Sequence, residues 1–182
     1  MILIISTCKE SLHELEFVKP ISEILQNNKI KFKIVNYKKI DKKSINSSDK
    51  IIITGTSLAD NDFINYINNF SFIESYNKPM LGICSGMHII GLVFKGKLKK
   101  QKQIGPIEIS LIKEFLGLEP NKKHQVYSLH NLYVDFSKMK TFKVYSYVSC
   151  PQAVKHNSKE LYGVLFHPEV RNIKIIENFL KL

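Results

Sequence analysis

Arginine is nearly absent from this chain of 182 residues: 27 side chains are Lys or Arg, and Arg171 is the only guanidinium among them. Without arginine the bidentate fork that reads guanine or clamps phosphate is missing, so the net charge of +11 does not point to specific nucleic-acid recognition. The lysine clusters Lys38-Lys39, Lys42-Lys43 and Lys95 to Lys102 form instead a basic surface suited to an acidic partner or an anionic nucleotide. Long apolar runs are missing as well. The opening Met1 to Ile5 stops at Ser6, and nothing later nears the roughly 20 apolar residues of a membrane-spanning helix. No basic leader with a small-residue cleavage site precedes it, and the expected location is the cytoplasm.

Cysteine is scarce. Cys8, Cys84 and Cys150 are an odd set without paired spacing, which excludes a disulfide framework and a zinc site and fits a reducing compartment. His130 and His156 share no metal-like spacing with any cysteine, so neither metal nor cofactor is expected. No Gly-rich phosphate cradle is present, which sends any ATP chemistry to a partner. Repeats and Pro/Gly/Ser-rich linkers are lacking too, and residues 1–182 read as one domain.

What is present has globular composition, 44% hydrophobic and 24% charged, which rules out a disordered chain. The first half alternates strand-like and helix-like segments. Ile2 to Ile5 is followed by Leu12, Leu15, Val18, Ile21, Ile24 and Leu25 at helical spacing, then by Lys31 to Val35. Ile51 to Ile53 is wholly apolar, Phe63 to Phe70 is helix-like, and Pro79 to Ile83 enters another short strand. Apolar strands without alternation predict a parallel sheet covered on both faces. Beyond Lys99 come short β-rich pieces at Ile107 to Ile112, Gln125 to Ser128, Tyr133 to Phe136, Phe142 to Val148 and Tyr162 to Phe166. An amphipathic segment from Ile173 to Leu180 closes the chain. The predicted architecture is a three-layer α/β sandwich with a mixed, largely parallel central sheet and added antiparallel strands.

Chemistry is concentrated in two short motifs. Gly82-Ile83-Cys84-Ser85-Gly86 lies between an apolar strand and the helix-like Met87 to Phe94. A sharp strand-to-helix turn with small neighbours lifts its central side chain out of the sheet, and the amides of the following helix favour a thiolate at Cys84. His167-Pro168-Glu169 follows the apolar Tyr162 to Phe166. A histidine there can take the thiol proton and pass it to a leaving amine, while a carboxylate two residues on holds the imidazole in the right tautomer.

The two motifs together resemble the class I glutamine amidotransferase family. The stretch Cys150-Pro151-Gln152-Ala153-Val154-Lys155-His156, followed by Tyr162-Gly163-Val164, is similar to the stand-alone glutaminase subunits of its archaeal-type GMP synthetase branch. The resemblance implies Cys84 as nucleophile, His167 as acid/base and Glu169 as its orienter. It implies an oxyanion hole at the backbone amides of Gly55 and Ser85, and a γ-glutamyl thioester formed from glutamine. It further implies ammonia delivered to a separate synthetase, the ATP pyrophosphatase of GMP synthesis.

Departures from the family pattern lie around the substrate. His88 stands where the family has a glutamine four residues after the cysteine. Val126 to His130 resembles the stretch that binds the α-amino and carboxylate groups, with Leu129 in place of a serine unless the register slips to Ser128; His130 completes it. Gly55 is followed by Thr56 where a second glycine is usual, and Leu165 replaces a common glutamine. Two alternatives follow from these departures: a related cysteine hydrolase of another γ-glutamyl or amide substrate, and a non-catalytic regulatory subunit.

Overall fold

The computed structural model describes residues 1–182. Strand β1 (Ile2–Ser6) is buried along its whole length because its two faces serve two cores. Ile2 and Ile4 pack on one side with Ile52, Leu81 and Ile83, whereas Leu3 and Ile5 pack on the other with Ile51, Ile53 and Met80. This is the period-2 alternation of a strand read across a sheet covered on both sides.

The parallel part of the central sheet comprises β1, β2 (Phe32–Asn36), β3 (Lys50–Ile53), β4 (Met80–Ile83) and β9 (Leu161–Val164). Two further strands, β7 (Phe142–Val148) and β8 (Cys150–His156), extend it antiparallel. The seven strands run in the order β2-β1-β3-β4-β9-β8-β7. The first face is covered by α2 (Lys19–Asn27) and α5 (Lys174–Lys181). Ile175, Ile176 and Phe179 of α5 are fully buried there, which contributes roughly 5 to 9 kcal/mol before entropic losses. The opposite face is covered by α4 (Ser85–Val93) and the 3-10 segment Asp62–Glu74.

Three expected stretches take a different form, and one helix has no counterpart among the expected elements. The helical stretch from Leu12 breaks at Val18, giving the single turn α1 (Glu14–Phe17) before α2, whose Pro20 occupies the first turn where a missing N–H costs nothing. The segment near Phe63 is a 3-10 run with Tyr66 outside helical geometry. The three β-rich pieces between Ile107 and Phe136 fall, but for Leu111, Ile112, Asp135 and Phe136, in two long strands, β5 (Leu98–Ser110) and β6 (Lys123–Val134), which pair with each other as a separate ribbon. A further short helix, α3 (Lys42–Asn46), is capped by the Asp41 side chain at Ser44 N.

Candidate active site

Three adjacent parallel strands end at one place. Ile53 of β3 registers with Gly82 of β4, and Ile83 of β4 registers with Val164 of β9. The residues that follow, Gly55, Cys84 and His167, therefore gather at the carboxyl edge of the sheet, where open α/β sheets place their ligands.

Cys84 occupies the turn from β4 into α4 with φ 49° and ψ −104°, a conformation that costs a non-glycine residue about 1 to 3 kcal/mol. Its amide donates to Val164 O at 2.8 Å, fixing the turn to β9. The flanking glycines permit the bend. A Cβ on Gly82 would lie 2.6 Å from Gly86 C, and one on Gly86 only 2.3 Å from Ile53 O, so strand and helix approach closer than any side chain allows.

His167 and Glu169 form a buried pair, Nδ1 to Oε1 at 2.7 Å. Burial alone pushes the imidazole pKa down, but the charges of Glu169 and Cys84 outweigh it and hold the pKa well above the ordinary 6.5. His167 Nε2 makes no normal hydrogen bond, and the Cys84 thiol instead points at Leu129 O, 3.5 Å away. The ring is held on its other sides by Phe17, at a centroid distance of 5.4 Å, and through its own backbone amide by Tyr127 O at 2.8 Å. Gly55 presses on the same ring, since a Cβ there would sit 2.6 Å from His167 Cε1.

The cleft beside Cys84 is lined by residues of the loop after β3, including Thr56, Asp60 and Asn61, together with Phe63, Ser85, His88, Leu129, His130 and Asn131. His88 is buried, and its Nε2 lies 3.0 Å from Leu132 O. A carbonyl only accepts, so Nε2 carries the proton and the buried, unpartnered Nδ1 is a bare acceptor. Burial, with help from His130, pushes its pKa down to about 3. Ser128 does not line this cleft: its hydroxyl donates to Gln103 Oε1, which also meets His130 Nε2 at 3.2 Å and Gln152 Nε2 at 3.2 Å. Burial, more than the charge of His167, lowers the His130 pKa.

Gln103, Thr7 and Asp60 are parts of the site that sequence reasoning passed over. Asp60 ties the loop after β3 together, accepting from Thr56 Oγ1 at 2.8 Å and from Lys9 N at 2.7 Å. The signal available for Thr7 was a polar residue directly after a buried strand; Gln103 gave none.

No helix is long and apolar enough to cross a membrane. A family model, "Glutamine amidotransferase class-I", matches residues 13–181. One subunit of the glutamine-hydrolyzing GMP synthase of Pyrococcus abyssi is 35% identical over 158 residues, which span 78% of this chain and 79% of that protein. The subunit of the same name from Pyrococcus furiosus is 34% identical over 119 residues, 60% of this chain and 62% of the relative. Among solved structures, a Thermoplasma acidophilum protein described as a GMP synthase subunit superposes with a TM-score of 0.82 at 21% identity, covering 100% of this chain and 93% of that one. A Thermotoga maritima glutamine amidotransferase follows at 0.72 and 15%, covering 99% and 80%. With a family model spanning nearly its whole length and a relative at this identity, the chain belongs to the class I glutamine amidotransferase family.

Proposed function

We propose that the chain, acting as one unit over residues 1–182 in the cytoplasm, is the glutaminase subunit of a two-subunit GMP synthetase. His167 holds the proton taken from Cys84, and the Cys84 thiolate attacks the side-chain amide carbon of glutamine. The oxyanion of the tetrahedral intermediate meets the N–H groups of Gly55 and Ser85. His167 then protonates the departing nitrogen, ammonia leaves, and a γ-glutamyl thioester remains. Water activated by His167 hydrolyses it to glutamate and restores the thiol. Glu169 keeps Nδ1 protonated, so that Nε2 is the atom that exchanges protons throughout.

The convergence of Gly55, Cys84 and the 2.7 Å His167–Glu169 pair at the ends of three neighbouring strands carries this reading. The ammonia acceptor is the nucleotide bound by a separate ATP-using subunit. Two features support that choice: the relatives are named as single subunits of a GMP synthase, and this chain has no phosphate-cradling loop. His88 and Leu129 support the second reading, a cysteine hydrolase of another γ-glutamyl compound.

One experiment separates them: ammonia release from glutamine and from a panel of γ-glutamyl amides, with and without the candidate synthetase of the same genome. The expected result is glutamine as the preferred substrate, stimulation by the synthetase, and no release by Cys84→Ala. Faster cleavage of another γ-glutamyl amide with the synthetase present would replace amidotransfer by the hydrolase.

A further inference from the structure

Behind the catalytic turn lies a set of hydroxyls with no access to solvent. Thr7, the residue after β1, places Oγ1 2.8 Å from Ser85 Oγ and 3.0 Å from each of the carbonyl oxygens of Thr54 and Gly55. Ser85 Oγ in turn lies 3.0 Å from Thr54 O. Thr54 Oγ1 receives Thr7 N–H at 3.4 Å and donates to Gly55 O at 3.0 Å. Thr7 and Thr54 are completely buried and Ser85 almost so.

Thr7 O–H faces the carbonyl oxygens of Thr54 and Gly55 and shares a proton with Ser85 Oγ, Ser85 O–H donates to Thr54 O, Thr54 O–H to Gly55 O, and Thr7 N–H to Thr54 Oγ1. Buried hydroxyls in a closed chain of this kind hold their partners in one arrangement.

The acceptor of the Ser85 hydroxyl decides what the chain does. Thr54 O and Gly55 N–H belong to the same planar trans peptide and point in opposite directions, so fixing the carbonyl fixes the N–H. Ser85 thus has two relations to the catalytic centre: its own N–H opens α4 beside Cys84, and its side chain sets the direction of the Gly55 N–H. We propose that Thr7 and the Ser85 hydroxyl are positioning residues that lock the Thr54–Gly55 peptide, so that the Gly55 and Ser85 amides converge on one oxyanion. The proposal rests on the glutamine chemistry above and extends it to two side-chain hydroxyls that do not touch the reacting atoms.

The test uses the chain together with its synthetase. Thr7→Val keeps the shape and removes the hydroxyl, Ser85→Ala removes the second link, and Thr7→Ser keeps the hydroxyl. Three readouts are needed: kcat for ammonia release, KM for glutamine, and the rate at which iodoacetamide alkylates Cys84, a displacement that forms no oxyanion. Because preorganised donors act on the transition state, Thr7→Val and Ser85→Ala should each lower kcat by roughly 10 to 100-fold. KM and alkylation should stay within about twofold of the parent, and Thr7→Ser should keep most of the activity.

An unchanged kcat in folded Ser85→Ala would overturn the proposal. So would a parallel fall of kcat and alkylation, which would mark a general loosening of the site. Failure of the glutamine chemistry itself looks different, because the parent would then release no ammonia from glutamine, and the clamp would fall with it.

Discussion

A buried histidine between a carboxylate and a thiol has to hold a proton if it is to pass one to the departing amide nitrogen. Burial opposes this at His167, and the charges of Glu169 and Cys84 reverse it, so the imidazolium persists above the ordinary 6.5. The sign follows: the stabilisation from the charged pair is complete below the unfolded pKa and is lost as pH rises through the raised folded one. Glu169→Gln removes the stronger of the two supporting charges. The His167 imidazolium should therefore lose its proton at lower pH in Glu169→Gln than in the parent, as read by NMR titration of the His167 ring; identical His167 titration curves would remove Glu169 from the site. His167→Ala should lower kcat by roughly 100-fold or more at matched folding by circular dichroism.

His88 presents a different residue-scale question, because the proton on Nε2 is committed to Leu132 O and only an acceptor is left. A substrate N–H fits this acceptor, whereas a glutamine side chain at the same place offers both a donor and an acceptor. His88→Gln should lower KM for glutamine with little change in kcat, and His88→Ala should not. Equal KM values in all three proteins would make His88 a packing residue, stacked on Phe63 as it is at 6.4 Å.

At the scale of elements, the β4 to α4 turn is built by closeness. Gly86 sits against the end of β3, and Gly86→Ala drives a methyl into Ile53 O, a backbone atom that cannot rotate away. The substitution should destabilise the chain by about 1 to 3 kcal/mol or more, lowering the urea midpoint and activity together. Full activity in a variant of parental stability would mean that the turn is not held this tightly.

These elements differ in how plainly the sequence announces them. β4 and β9 are continuous apolar runs, as are β1 before Ser6 and β3 after Lys50, because a parallel strand covered on both faces has no polar positions to alternate with. The glycines around Cys84 and the His167-Pro168-Glu169 run were legible for the same local reason. β8 was not: Pro151, Gln152 and Lys155 disguise a strand whose pairing with β7 and β9 gives it its form. The hydroxyls of Thr7 and Ser85 were equally hidden, since they meet only when strands far apart in sequence lie side by side.

At the scale of the molecule, the cleft over Cys84 encloses about 10 Å³, roughly the room of one water and far too little for an amino acid. Its walls are the loop carrying Thr56, Asp60 and Asn61 and the β6 segment from Leu129 to Asn131. Bound glutamine needs more room between these walls than this unliganded form offers, and widening the cleft would draw on binding energy. A partner that holds the walls apart removes that cost and raises apparent affinity by the inverse of the open fraction. Lys100 and Lys102 stand on the same side, in a shallow depression that shares Asn61 and Asn131 with the cleft, and the chain as a whole carries +11. An acidic synthetase surface would be drawn to this edge, and its association would slow as salt screens the attraction. The expected outcome is a weak glutaminase alone and a fall in KM of about tenfold or more with the synthetase present. The stimulation should need a higher synthetase concentration at about 0.5 M salt than at about 0.05 M. Lys100→Glu with Lys102→Glu should reproduce the high-salt behaviour at low salt without changing the activity of the chain alone. A KM that ignores the synthetase would show that the closed cleft opens without help, and a salt-independent stimulation would move the docking face away from these lysines.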